Sequence, residues 1–138
     1  MDLWNPLTGR HLQVFDVDDT GGGLAMGRIA DRDVLAVGSG RYVHLWDTAA
    51  WERRDWIPHT STVTCLSLIE HGDRVLLVTG TEDGTVTLWD AASQRRLAVL
   101  GAFARPVRSV AATTIRGSPH VYGQSHYGRV LAWRVAAP

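Results

Sequence analysis

Tryptophan returns in this chain at an almost constant interval. Leu3-Trp4-Asn5, Leu45-Trp46-Asp47, Leu88-Trp89-Asp90 and Ala132-Trp133-Arg134 lie 42, 43 and 44 residues apart. A period of this length points to a stack of like supersecondary units, each burying its apolar face on the next. The residues leading into the last three tryptophans recur as well: Val43-His44-Leu45, Val86-Thr87-Leu88 and Val130-Leu131-Ala132. These are short β-branched and apolar runs bounded by turn residues, a pattern that predicts strands.

One whole unit is legible in the middle of the chain. Runs at 53–57, 63–69, 75–79 and 85–89 are separated by His59-Thr60-Ser61-Thr62, Glu70-His71-Gly72-Asp73 and Glu82-Asp83-Gly84. The last of these carries tight-turn chemistry. The reading is a meander of four antiparallel strands without helical periodicity. The 138 residues then divide into three units, 1–47, 48–90 and 91–138, and do not form one ordinary domain.

On these residues the chain resembles the WD40-repeat family. Gly80-Thr81-Glu82-Asp83-Gly84-Thr85-Val86-Thr87-Leu88-Trp89-Asp90 is similar to the repeat signature nearly position for position, and His59 follows Pro58 where the family has Gly-His. The signature residues across the chain are Trp4, Trp46, Asp47, Trp89, Asp90 and Trp133. The flanking units depart from the pattern. Gly38-Ser39-Gly40-Arg41-Tyr42 replaces the Ser-x-Asp-Gly turn in the first, and Ser125-His126-Tyr127-Gly128 puts tyrosine in the aspartate position of the last.

The resemblance implies an all-β β-propeller built of four-stranded blades, three per chain. It also implies a hydrogen-bonded structural tetrad of His59, Thr79, Asp83 and Trp89. In the family the outermost strand of each blade follows the Trp-Asp, so residues 8–15 supply an outer strand to begin with, and none follows Trp133. Three blades do not close a ring by themselves. If each end face shows about six apolar side chains at about 1.5–3 kcal/mol each, leaving one wet costs on the order of 10 kcal/mol, comparable to a domain's whole stability. The expectation is therefore completion, either by a longer chain or by head-to-tail self-association, with six blades in a dimer or nine in a trimer.

Composition closes off several chemistries. Fourteen cations balance fourteen anions, so no basic excess suggests nucleic acid as a partner. All fourteen cations are arginine, which removes lysine chemistry. The single cysteine, Cys65, allows no internal disulfide and no zinc spacing. No apolar run is long enough for a membrane span, and residues 1–6 lack the features of a signal peptide. A cytoplasmic chain is expected.

The most tempting catalytic stretch is Phe15-Asp16-Val17-Asp18-Asp19-Thr20. It is similar to the Asp-x-Asp-x-Thr motif of haloacid-dehalogenase-type phosphatases, with Asp16 as nucleophile and Asp18 as acid/base. That chemistry normally uses a lysine and needs a parallel α/β sheet, and Gly21-Gly22-Gly23 stands where an apolar residue belongs. A polar loop between blades is the favoured reading, and calcium binding lacks the EF-hand glycine and distal glutamate. The six histidines show no metal-ligand spacing, so no metal and no cofactor are expected. Cys65, in an innermost strand, reads as a buried inert thiol. Trp51 and Trp56 lie on an outer strand, with Trp56 expected to pack.

Binding remains. By the resemblance, Arg41, Tyr42, Glu82, Arg105, His126 and Tyr127 share one loop face with residues 16–20, and arginine and tyrosine are enriched at interface hot spots. The reading is a non-catalytic interaction scaffold with a protein partner. The competing reading is a symmetric ring holding a small or repetitive ligand.

Overall fold

The computed structural model describes residues 2–4, 11–14, 21–49, 52–126 and 128–135, with side chains from residue 22 onward except 52–55. The 16–20 motif, Trp51 and Tyr127 lie outside the described residues, as does the Trp4 side chain. Among the described residues there are strands and no helix.

Every sheet is an antiparallel meander in chain order. The hairpin β1 (Asp2–Trp4) and β2 (His11–Val14) stands by itself. Then follow β3 (Gly21–Ile29), β4 (Arg32–Ser39), β5 (Tyr42–Asp47) and β6 (Glu52–Pro58) as the first blade. The second blade is β7 (Val63–His71), β8 (Arg74–Thr81), β9 (Thr85–Asp90) and β10 (Arg95–Ala102). The third has three strands, β11 (Val107–Ile115), β12 (Ser118–Ser125) and β13 (Val130–Arg134). The strand after each Trp-Asp joins the outside of the preceding sheet, so structural blades are offset from the sequence units. The first outer strand, β2, pairs with β1 and not with the last blade.

The blades stack through their first strands, with β3 and β11 both lying against β7. Alternation along the strands sends successive side chains of the middle blade to opposite neighbours. Leu66, Val75 and Leu77 pack with Val34, Ala36, Val43, Leu45 and Ile57 of the first blade. Cys65, Leu76, Val78, Val86 and Leu88 pack with Val107 and Val121 of the third. The middle sheet is thus buried on both faces, and its strands read as apolar runs. A polar tie crosses the second junction, where the Thr64 hydroxyl donates to the Val107 carbonyl at 2.6 Å.

Glycines mark where backbones come too close for a side chain. A Cβ on Gly22 would lie 1.8 Å from the Val63 carbonyl oxygen, so the glycine run belongs to innermost strand β3, close against β7. At Gly84 the backbone takes φ +89°, and a Cβ would meet the Phe103 carbonyl oxygen at 2.1 Å.

The outward face of the third blade is not the apolar face expected of an open end. The register puts Ser109, Gln124 and Val130 in one row, Ala111, Tyr122 and Ala132 in the next, and Thr113, His120 and Arg134 in the third. The same positions of the middle blade hold Cys65, Gly80 and Val86, then Ser67, Val78 and Leu88, then Ile69, Leu76 and Asp90. Valine and leucine have become tyrosine, histidine and alanine. That is the chemistry of a repeat face that tolerates water, so the stated apolar cost does not apply at this end.

Leu77 is fully buried. Leu77→Ala should cost about 2–5 kcal/mol by the methyl groups removed and the cavity left behind, read as a lowered urea midpoint with an unchanged slope.

Candidate functional site

The link between β6 and β7 carries His59 to the side of β8 and β9. There its ring meets Thr79 and Trp89. His59 Nδ1–H donates to the Ile57 carbonyl at 3.1 Å, since a carbonyl can only accept. That leaves Nε2 to accept from the Thr79 hydroxyl at 2.9 Å, while the same oxygen accepts Trp89 Nε1–H at 3.0 Å. The His59 and Trp89 rings lie 4.8 Å apart, tilted by 51°. Burial lowers the His59 pKa from its ordinary 6.5, outweighing the bond to Ile57, and favours the neutral ring this network requires.

Asp83, the fourth member implied by the resemblance, is placed elsewhere. Its carboxylate takes the Thr81 hydroxyl and the Thr85 backbone N–H at 3.1 Å, and its own N–H donates to Ser61 Oγ at 3.2 Å. It is exposed, and the Thr81 hydrogen bond holds its pKa below the usual value. The structure therefore brings together His59, Thr79 and Trp89, while Asp83 organises the β8–β9 turn. The physical reason is reach: the short turn directs the carboxylate back to the hydroxyls and N–H groups beside it.

The polar node is a property of the middle blade. In the third, Phe103 takes the place of His59: Phe103 N–H bonds to the Gly84 carbonyl at 2.7 Å, as His59 N–H bonds to the Arg41 carbonyl at 2.7 Å. Gly123 replaces Thr79 by register, and Trp133 meets the Phe103 ring edge-on at 6.4 Å. A Cβ at Gly123 would crowd Trp133 and Phe103 at 3.1 and 3.3 Å. In the first blade Val37 occupies the threonine position.

The signature aspartates cap turns. Asp47 is buried, accepts the Ala49 N–H and pairs with Arg32 at 3.0 Å. Asp90 accepts the N–H groups of Ala92 and Ser93 and pairs with Arg74 at 3.4 Å. Trp46, Trp89 and Trp133 are half-buried.

Residues read as a loop face do share one edge. Arg41 and Tyr42 sit at the β4–β5 turn, Glu82 at the β8–β9 turn, Arg105 between β10 and β11, and His126 after β12. All five are exposed. Their backbones are tied across: Arg41 O to His59 N, Glu82 N to Thr62 O at 2.8 Å, and His126 N to Pro106 O at 3.1 Å.

Cys65 is buried in β7, and burial raises its thiol pKa, so it stays protonated and unreactive at neutral pH. Trp56 is 53% exposed, more open than a packing residue, because β6 lies on the perimeter. No group of three or more metal-ligating side chains occurs among the described residues.

Two features escaped the sequence reading. Ala132-Trp133-Arg134 reverses the charge found after the first two internal tryptophans. The zero net charge also hides a division: all fourteen acidic residues precede Ala91, and seven of the fourteen arginines follow it. The balance argued against nucleic acid describes the whole chain and not its last unit.

The family model for the WD domain, G-beta repeat matches residues 52–90. The structure is similar to Sqt1 of Saccharomyces cerevisiae, at TM-score 0.72 and 17% identity over 86% of this chain and 32% of that one. It is also similar to the computationally designed Ika8 protein, at 0.73 and 20% over 96% and 39%. BBS1N in complex with ARL6DN follows at 0.70 and 17% over 90% and 37%. No curated protein matches in sequence. The chain spans well under half the length of these structures. Residues 52–90 match the WD40 repeat, and the chain as a whole has the fold of a run of β-propeller blades. The matched segment is the one that holds the His59, Thr79 and Trp89 node.

Thr79→Val keeps the shape and removes the shared oxygen. Leaving Trp89 Nε1–H and His59 Nε2 without it should cost about 1–3 kcal/mol per group in urea unfolding. The node also predicts a pH dependence. His59 has a folded pKa below 6.5, so between those values the unfolded chain binds more protons and stability rises with pH. Its contribution is complete above 6.5 and is lost as pH falls through the window below. His59→Phe, which copies Phe103, should flatten that acid slope in unfolding free energies measured from about pH 7.5 to about pH 5.

Proposed function

We propose that this chain is a non-catalytic interaction scaffold whose β4–β5, β8–β9 and β12–β13 turns bind a protein partner. The observation that carries this reading is the combination of exposed Arg41, Tyr42, Glu82 and His126 side chains with backbones tied by cross-link hydrogen bonds. Side chains held on fixed backbone lose less freedom on binding, which favours affinity. The His59 and Thr79 pair is committed to Trp89 and to the Ile57 carbonyl, a structural arrangement. The structure of BBS1N holds ARL6DN, a precedent for a partner on a fold of this kind. A cytoplasmic setting belongs to the same proposal, supported by a lone buried cysteine. Arg41→Ala combined with Tyr42→Ala should reduce pull-down of a partner at least tenfold with the fold unchanged by circular dichroism. Undiminished capture would remove the turns from the interface.

A second reading, self-association into a ring, draws on one observation: the third blade has three strands, and β2 lies in a separate hairpin. An unpaired edge favours strand addition. Light scattering should then give a mass of about 30 or about 45 kDa, two or three times the 15.1 kDa chain. A folded monomer rejects this reading and leaves the scaffold reading standing.

A further inference from the structure

The same concavity recurs on each blade, at the end away from the partner turns. On the first blade it is lined by Ile29, Arg32, Val34, Leu45 and Trp46, and Ala91, Ala92 and Gln94 from the next blade's β9–β10 turn enter it, leaving about 190 Å³. On the second it is lined by His71, Arg74, Leu76 and Leu88, with Arg134 and Val135 of the third blade reaching its side, leaving about 330 Å³. Register equates Arg32 with Arg74, Val34 with Leu76 and Leu45 with Leu88. These two clefts are apolar at the base. Arg32 and Arg74 are neutralised by the signature aspartates Asp47 and Asp90, while Arg134 at the side of the second cleft has no such pair among the described residues.

The third member of the series differs in kind. It holds about 400 Å³ and is lined by Ile115, Arg116, Ser118, His120 and Arg134. His120 replaces the valine and leucine at the base, and Arg134 replaces the aspartate. Neither Arg116 nor Arg134 has an ion-pair partner among the described residues, and both are exposed. The His120 ring is oriented by the Nδ1–H bond to the Ser118 carbonyl at 2.9 Å. No aspartate or glutamate occurs among residues 91–138. Two guanidiniums, an imidazole and a hydroxyl thus line one concavity with no carboxylate among its described lining residues. Forked N–H donors of this kind match carboxylates.

We propose that this third cleft is a docking site for an acidic segment, rich in aspartate or glutamate, of a protein partner. Charge complementarity selects the occupant, and the repeat geometry weighs against a second copy. In the first cleft the entering segment follows a tryptophan, at Ala91 and Ala92. With three blades per copy, the corresponding residues of a second copy follow Trp46, at Thr48 and Ala49, which carry no charge. A second copy stacked in repeat register would leave Arg116 and Arg134 unneutralised. The site is separate from the turns that carry the scaffold reading, so either can fail alone.

The test is fluorescence anisotropy of a fluorescein-labelled tetraglutamate peptide against the whole chain, with tetraglutamine and an oligothymidylate as comparison probes. Tetraglutamate should bind, with affinity falling as salt is raised. Arg134→Asp, which restores the residue type of the other two units, and Arg116→Asp should each weaken it at least tenfold. The milder Arg134→Gln should weaken it less, and Arg108→Asp, exposed at the other end of β11, should change it less than twofold. Circular dichroism melts check that each variant folds. The proposal is overturned if tetraglutamate does not bind, if tetraglutamine binds equally, or if Arg134→Asp binds as wild type. It is equally overturned if oligothymidylate binds as tightly and loses as much on Arg134→Asp, which would mark a general polyanion surface. Loss of an oligomer on Arg134→Asp in light scattering would make the occupant a second copy and also reject it.

Discussion

The structure depends on burying both faces of one sheet. Leu77 and Val78 are adjacent in sequence and both fully buried, the first against one blade and the second against the other. A single four-stranded meander has nowhere to put two apolar faces. Stacked between like sheets it buries both, so each blade's stability is largely a property of its junctions. This is why glycines cluster where β3 meets β7, and why the Thr64 hydroxyl reaches across to the third blade instead of to water. The junctions ask for flat, closely approaching sheets, and residues such as Gly22 and Gly38 permit it.

With the stack supplying most of the burial, the interior of each blade has been free to vary. The middle one uses a hydroxyl shared between an imidazole and an indole. The third solves the same space with Phe103, Gly123 and Trp133, exchanging hydrogen bonds for aromatic contact. The two solutions have different chemistry. The polar node is directional and responds to protonation of His59, whereas the aromatic one has no titratable group. The family pattern is recognisable only where the polar node survives, at residues 52–90.

Charge follows the same logic of position. In the first two blades an arginine at the start of the second strand meets the aspartate after the tryptophan, closing the sheet end with an ion pair. In the third, the arginine position holds Ser118 and the aspartate position holds Arg134. The pair has been dismantled, and one cation remains. Together with Tyr122 and His120 in place of valine and leucine, this makes the last blade's outward face polar and basic. The fold needs apolar blade faces only where another blade packs against them.

How much of this was legible in the sequence follows from what each signal measures. The tryptophan spacing and the short apolar runs are local, and they determined the repeat and the meander. The offset of the outer strand followed from the family resemblance. Positions such as Val63, Leu77 and Val86 could be read as core because they lie in short apolar runs that the chain itself carries. The glycine run at 21–23 does not read as a strand, because a strand packed closely on another backbone leaves no local trace. Asp83 read as a fourth member of the node because motif position indicates proximity and not direction, and its turn sends the carboxylate back to Thr81 and Thr85. The polarity of the third blade's far face and the gathering of Arg116, His120 and Arg134 were decided by tertiary structure alone. Arg116 lies in the β11–β12 turn and His120 in β12, and cross-strand register sets Arg134 of β13 beside His120. Sequence periodicity determined what the units are; register and stacking decided which of their faces meet a neighbour and which meet solvent.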